Sequence, residues 1–239
     1  MTLQELLNDS PKLHRIGKVG VHVPIAYDLS DQALHLIDQN VDQSSHTLET
    51  GAGISTILFA IKHAHHTCIV PDGDLADRIR EYCQQRSISV ERINFQIGKS
   101  ENILPGLTTD QLDLVLIDGQ HAFPAPFIDW YYTARSLKTG GLLLIDDIQL
   151  WTGRILKDFL SEEPEWSLIS DLSGRTAAFV KEKDYGQEKW WGQQPYIVRK
   201  SRRLIRLSEF RQAVAMIARG QFRPLTSKIR ARIKNKTDS

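Results

Sequence analysis

Three acids and a histidine carry the clearest chemical signal in this chain. Asp118-Gly119-Gln120-His121 follows the run Leu112–Ile117, apolar apart from Asp113, and Asp146-Asp147 follows the apolar run Leu142–Ile145. Carboxylates brought together without partners repel one another and raise each other's pKa. A divalent cation held by Asp118, Asp146 and Asp147 resolves that conflict. Mg2+ suits such a place, because it takes a few carboxylates and keeps several waters. A cation there polarises a hydroxyl and lowers its pKa, and His121 is the group able to take the released proton near neutral pH. The plain reading of the same residues is structural. Asp118 then caps the next helix, Asp146-Asp147 forms a polar loop, and His121 starts a helix with its ring hydrogen-bonded.

A second signal lies in Leu48-Glu49-Thr50-Gly51-Ala52-Gly53-Ile54-Ser55-Thr56. Glycines after a strand let the backbone turn tightly and approach a ligand closely. The helix that follows offers free N–H groups and the positive end of its dipole. A dinucleotide is disfavoured on two grounds. Thr56 holds the place of the third glycine in the Gly-x-Gly-x-x-Gly fingerprint, and Glu49, just before the glycines, would repel a pyrophosphate. The ammonium of an amino-acid moiety would instead be drawn to that carboxylate. A turn without function is the alternative.

The elements that must position these residues alternate. Strands are expected at His46–Glu49, Thr67–Val70, Ile93–Ile97, Leu112–Ile117 and Leu142–Ile145. Helices are expected at Ser55–Lys62, Asp74–Arg86, Phe127–Leu137 and Leu150–Leu160, with Thr139-Gly140-Gly141 following the third as its stop. Strands alternating with helices argue a parallel sheet covered on both faces, where ligands gather beyond the carboxyl ends of the strands. Trp166–Ile169 and Thr176–Val180 flank Ser173-Gly174-Arg175 and read as a closing hairpin. Ahead of the first strand, Gly17–Pro24 reads as a loop and Leu29–Asp38 as a lead-in helix. His63, His65 and His66 read as surface or capping residues at a helix end, and Trp130, Tyr131 and Tyr132 as core.

The acid-Gly-x-Gly pattern at Glu49–Gly53, continued by Ser55-Thr56, resembles the first motif of class I S-adenosylmethionine-dependent methyltransferases. The resemblance covers about residues 45–183. It implies an α/β Rossmann-like fold: a doubly wound, mostly parallel seven-stranded sheet with a C-terminal antiparallel hairpin. It also implies S-adenosyl-L-methionine as cofactor, its methionine part held by the Glu49–Gly53 turn, with Ser55 and Thr56 in the same site. The family's ribose-binding acid falls on Val70 here, a departure that leaves Asp72 or Asp74 to reach the ribose. The plain alternative makes Asp72-Gly73 a turn and Asp74 a helix cap. Ser100 and Glu101 match the adenine-facing pair of catechol-type O-methyltransferases, and Ser100 is also a candidate N-cap. Asp118 and the pair Asp146-Asp147 match the metal acids of the catechol and antibiotic-sugar types. His121 matches the base proposed in the sugar enzymes, and Asp118 joins both the catalytic and the cofactor set. The lysine base of the catechol type has no counterpart in this chain.

Charge divides the molecule. From Arg199 to Ser239 there are 13 Lys/Arg against two acids, Glu209 and Asp238, a net +11 within a chain of formal net charge +1. Three divisions follow: a helical lead-in at 1–45, a methyltransferase domain at 46–198 and a basic helical tail at 199–239. Leu207, Phe210, Val214 and Ile217 form one helical stripe, and Leu225, Ile229 and Ile233 another beyond Gly220 and Pro224. Packing within the chain or in a homodimer comes first for this tail, and peripheral contact with an anionic membrane surface second. Nucleic acid comes last, since only Phe210 and Phe222 could stack on bases. Cys68 and Cys83 read as packing residues, and with no leader-like start the expected place is the cytoplasm. The preferred acceptor is a hydroxyl of a small molecule or of a sugar or glycan precursor, methylated with divalent-metal assistance. An RNA methyltransferase using the tail and a scaffold that binds the donor without turnover are the alternatives.

Overall fold

Apolar runs and three-to-four-residue apolar spacings fold here as β–α units in sequence order. The computed structural model describes residues 1–16, 23–25, 29–109, 111–184 and 189–218. The chain opens with α1 (Leu3–Asn8), started by a Thr2/Glu5 capping box, and with β1 (His14–Ile16) paired antiparallel to β2 (Val23–Ile25). It continues through α2 (Asp31–Asn40), β3 (His46–Thr50), α3 (Ile54–Ile61), β4 (His65–Val70), α4 (Gly73–Gln85) and β5 (Ile93–Ile97). Then come α5 (Ser100–Ile103), β6 (Leu112–Ile117), α6 (Ala125–Thr133), β7 (Leu137–Ile145) and α7 (Trp151–Leu160). The hairpin β8 (Trp166–Leu172) and β9 (Thr176–Lys181) and the helix α8 (Pro195–Ala218) complete the series.

The seven-stranded sheet runs β5-β4-β3-β6-β7-β9-β8. The strands β3 to β7 pair in parallel, and β9 joins β7 antiparallel, followed by β8. This is the Rossmann-like arrangement expected from the alternating pattern, closing hairpin included. After β5 the chain crosses back to the other side of β3, so the order reverses between β3 and β6. Crevices beyond such a reversal are where open α/β sheets bind ligands. Leu114, Val115, Leu116 and Leu142–Ile145 are buried, as strands covered on both faces require. Leu3 and Leu6 of α1 and Ala33, Leu34 and Ile37 of α2 join the same core, so the lead-in packs with the sheet.

Several local readings change. Val23 and Pro24, expected in a loop, lie in β2, while Gly17–Gly20, Val21 and His22 fall outside the described residues. The helix expected to run to Leu137 ends at Thr133, and Thr139-Gly140-Gly141 lies inside β7. The pairing with β6 jumps there from Leu112↔Leu137 to Leu114↔Leu142. Gly140, at φ +84°, sits in that bulge, a conformation that favours glycine. His65 and His66 belong to β4 rather than to a helix end, and His66 is buried. Cys68, Cys83 and Trp130 are buried as expected, whereas Tyr131 is exposed.

Residues 1–187 form one compact unit and 188–239 a second. Within the second, α8 exposes Leu204, Leu207, Phe210 and Val214. The second tail helix expected around Leu225–Ile233 lies outside the described residues. No helix among the described residues is long and apolar enough to cross a membrane.

Candidate active site

Parallel register sets two turns side by side at the sheet reversal. Thr50 pairs with Ile117, and beyond that pair Gly51 meets Asp118. Gly51 has φ +95°, and a Cβ there would stand 2.1 Å from the Asp118 carbonyl oxygen. Only glycine satisfies both conditions. Gly119 is similarly close, since its Cβ would come within 3.3 Å of the Thr50 side chain. Above these turns opens a cavity of about 620 Å3, within the range of small-molecule and cofactor sites.

Most of the residues singled out by sequence line it. Gly51, Gly53 and Ser55 form one wall, and Asp72, Ser100 and Glu101 another. Asp118, His121 and Asp147 stand at the third side. Glu49, Thr56 and Asp146 are not among the lining residues.

Glu49 is turned into the protein, its side chain 1% exposed. Ser55 Oγ donates to its Oε2 at 2.6 Å, and Thr56 Oγ1 donates to Oε1. His66 Nε2 lies 3.2 Å from Oε1, and Thr47 Oγ1 meets His66 Nδ1 at 2.8 Å. The ring of His66 stacks on Phe59, centroids 4.1 Å apart. Thr56 Oγ1 also accepts from Gly53 N at 3.0 Å. The carboxylate therefore braces the glycine turn from beneath, where buried charge requires such partners, and does not line the cavity in which an ammonium was expected to meet it.

Asp72 does two local jobs. Its Oδ1 accepts from Asp74 N at 3.0 Å as the N-cap of α4, and its Oδ2 pairs with Arg78 at 3.2 Å. The structure thus makes Asp72 the cap and leaves its half-exposed carboxylate at the cavity wall beside Val70. The cap of α5 is Lys99 rather than Ser100. Beneath Ser100 lies Asp129, a fully buried carboxyl that sequence reasoning passed over. Burial raises its pKa, and the Ser100 and Thr50 hydroxyls pull it back down.

At the reactive end, His121 Nε2 lies 3.0 Å from Asp147 Oδ2, and Gln149 Nε2 donates to Asp147 Oδ1 at 2.5 Å. Donor atoms of Asp118, His121 and Asp147 lie within 4.8 Å of one another. Asp146 and Asp147 do not enter the cavity together: Asp147 lines it and Asp146 does not. Asp147 departs from the strand at φ +52°, a left-handed conformation that costs on the order of 1–3 kcal/mol for a non-glycine residue. Asp146 stays buried, accepting from Thr176 Oγ1 and standing 3.6 Å from Arg175 Nε. The helix α7 passes directly behind this loop, since a Cβ on Gly153 would come within 2.8 Å of the Asp147 carbonyl oxygen.

Burial pushes the Asp118 pKa well above the usual carboxylate range, and Asp146, Glu49 and Asp147 push it further, against Arg175. Burial also raises Asp146, with Thr176 and Arg175 opposing. The Mg2+ set expected from sequence does not fit this arrangement, because Asp146 is buried against Thr176 and Arg175 and does not line the cavity that Asp118 and Asp147 share. Arg175, read only as part of a hairpin turn, lines the cavity beside both acids and was missed as a candidate. The signal was present: a hairpin closing beside the strand that ends in Asp146-Asp147 must bring its turn close to them. Trp151, at the start of α7 just beyond the acid pair, is exposed and does not line the cavity.

Comparison with known proteins follows the fold. Residues 48–148 match a family model described as a methyltransferase domain. No curated protein matches the chain. Among solved structures, cofactor-bound Rv0187 from MTB is 18% identical, with a TM-score of 0.55 over 66% of this chain and 83% of that one. The O-methyltransferase TomG from Streptomyces achromogenes, involved in tomaymycin synthesis and solved with SAM, is 18% identical. Its TM-score is 0.52, over 64% of this chain and 82% of its own. An O-methyltransferase from Bacillus cereus in complex with SAH is 18% identical, with a TM-score of 0.51 over 65% and 84%. At these identities the likeness is one of fold.

Proposed function

We propose that this chain, whose residues 48–148 match a methyltransferase-domain model, is a methyltransferase of the class I type that moves a methyl group from S-adenosylmethionine to a hydroxyl of a small molecule or sugar. One observation carries the reading: a single cavity joins the glycine turn at Gly51–Gly53 to the His121–Asp147 pair. A donor at one end and a base at the other is the layout that methyl transfer to oxygen needs. The O-methyltransferases among the structural neighbours support the choice of oxygen as acceptor.

Bound S-adenosylmethionine supplies a methyl on a positively charged sulfur, ready for in-line attack. The chain's own residues do the rest. The backbone at Gly51–Gly53 admits the methionine part closely, because no Cβ stands in the way. Ser100 and Glu101 face the adenine side, and Asp72, whose half-exposed carboxylate is held by Asp74 N and Arg78, stands toward the ribose side. Asp147 orients His121 through Nε2, so the ring keeps a lone pair on Nδ1 for the acceptor proton. As the oxygen bonds to the methyl carbon, the proton passes to His121 and the carbon–sulfur electrons return to sulfur. Positioning and exclusion of water account for most of the remaining acceleration.

Calorimetry with S-adenosylmethionine and S-adenosylhomocysteine tests the donor half, and labelled-methyl transfer to a panel of phenols, catechols and sugars tests the acceptor half. Micromolar binding with transfer to a hydroxyl is the expected result. Failure of both cofactors to bind overturns the reading. Binding without transfer to any hydroxyl favours the scaffold, and transfer to RNA alone makes the acceptor a nucleic acid.

A further inference from the structure

The register that closes the sheet also sets the charge at the reactive end of the cavity. In the antiparallel pairing of β7 with β9, Ile145 faces Ala177. Continued past the end of β7, that register sets Thr176 beside Asp146 and Arg175 beside Asp147. The side chains follow it. Thr176 Oγ1 donates to Asp146 Oδ1, while Arg175 Nε stands 3.6 Å from Asp146 Oδ2 and 3.5 Å from Asp147 Oδ1.

The backbone holds Arg175 in place from both sides. Ile148 N donates to Arg175 O at 2.9 Å, and Arg175 N donates to Leu172 O at 3.1 Å. Between them, Ser173 and Gly174 both have positive φ, 57° and 66°, the conformation of a tight hairpin turn whose twist matches its strands. This arginine lines the cavity; its side chain is 40% exposed, while its Nε is buried and held at ion-pair distance rather than by a hydrogen bond.

We infer that Arg175 is the resident cation of the acid cluster, standing between Asp146 and Asp147 where a divalent ion would otherwise be needed, so that the site works without a metal. The oxygens are already engaged. Asp146 meets Thr176 and Arg175 through its two oxygens, with its side chain 1% exposed. Asp147 meets Gln149 and Arg175 through Oδ1 and His121 through Oδ2. A divalent ion entering among Asp118, His121 and Asp147 would face the guanidinium across the same carboxylate at short range, where like charges repel strongly.

In its catalytic meaning this inference rests on the methyl-transfer reading; as a statement about charge and metal affinity it stands alone. Its consequence for the acceptor is specific. Recognition asks for one hydroxyl set against His121, not for two adjacent oxygens able to chelate an ion.

The test is a Mn2+ titration read by electron paramagnetic resonance, on the full chain. It uses the wild type, Arg175→Met, Arg175→Lys and the double variant Arg175→Met/Asp147→Asn, each checked for folding by thermal melting. Calorimetry with S-adenosylhomocysteine, with and without EDTA, runs beside it. The wild type and Arg175→Lys should bind Mn2+ weakly. Arg175→Met should gain affinity by on the order of tenfold or more, and the added Asp147→Asn should remove that gain. EDTA should leave the affinity of the wild type for S-adenosylhomocysteine unchanged. Tight Mn2+ binding by the wild type, or no gain in Arg175→Met, overturns the inference. If Arg175→Met fails to fold, Arg175→Gln takes its place with the same two outcomes. Absence of S-adenosylhomocysteine binding in either buffer instead sinks the methyl-transfer reading, and the Mn2+ titrations still decide the role of Arg175.

Discussion

Glu49 and Asp146 stand at the carboxyl ends of central strands, each with its side chain about 1% exposed, yet different parts of the chain neutralise them. Glu49 is served from nearby: Ser55 and Thr56 in the following turn, and His66 on the adjacent parallel strand. Asp146 depends on Thr176 and Arg175, which arrive only when the closing hairpin packs against β7. The first acid belongs to the scaffold, fixing the shape of a turn that lines the cavity. The second belongs to a charge cluster whose neighbours, Asp147 and His121, line the cavity as well. The two side chains are equally buried. What differs is how far along the chain their partners come from.

That contrast breaks most sharply at His121. If the acid cluster does the chemistry, His121→Ala should lower methyl transfer to an acceptor found in the panel by about 10²- to 10⁴-fold, with S-adenosylhomocysteine affinity nearly intact. Equal turnover across the pH range would remove the base from the mechanism. Gly51→Ala strikes the point where the two regions touch. A methyl 2.1 Å from the Asp118 carbonyl, on a residue at φ +95°, should destabilise the fold by about 2–4 kcal/mol and abolish cofactor binding in calorimetry.

Glu49→Gln sharpens the scaffold side. It removes charge-assisted hydrogen bonds from Ser55 and Thr56, at a cost of about 1.5–3 kcal/mol in denaturant unfolding. Cofactor affinity should fall with it, since the turn loses its brace. A loss of affinity with stability unchanged would instead put the carboxylate in contact with the ligand.

Asp118→Asn reverses the usual direction. The folded protein raises the Asp118 pKa, through burial first and then Asp146, Glu49 and Asp147, so the fold holds that proton more tightly than the unfolded chain does. The stability this provides is complete below the ordinary carboxylate range and is lost as pH rises through the folded value. At neutral pH the variant should therefore melt a few degrees higher than the wild type without cofactor. That advantage should vanish below about pH 4, and an unchanged midpoint at neutral pH would contradict the direction of the shift. The smallest effect is expected at Asp72. Loss of its cap and exposed Arg78 pair in Asp72→Ala should cost about 0.5–2 kcal/mol. A tenfold fall in S-adenosylhomocysteine affinity beyond that would assign it to the ribose.

Much of the site could be read along the chain. A strand, two glycines and a helix start predict the turn at Gly51–Gly53, because a tight bend and a close approach both demand a residue without Cβ. Asp118 and His121 were legible because they follow an apolar strand directly. His66 was misread as a helix-end residue, since the three histidines look polar in sequence and only the start of β4 at His65 turns one of them inward. Asp129 carried no signal, because a lone acid in an amphipathic helix is ordinarily solvent-facing.

Residue types and short-range spacing by themselves determined the order of strands and helices from β3 onward, the glycine turn and the stations of the acids, because each depends on interactions within a few residues. Tertiary structure alone decided where the carboxylates aim. Glu49 turns inward and Asp146 is sealed because partners from α3, β4 and β9 meet them across the sheet. Arg175 reaches the acid pair because antiparallel register, a long-range property, carries it there.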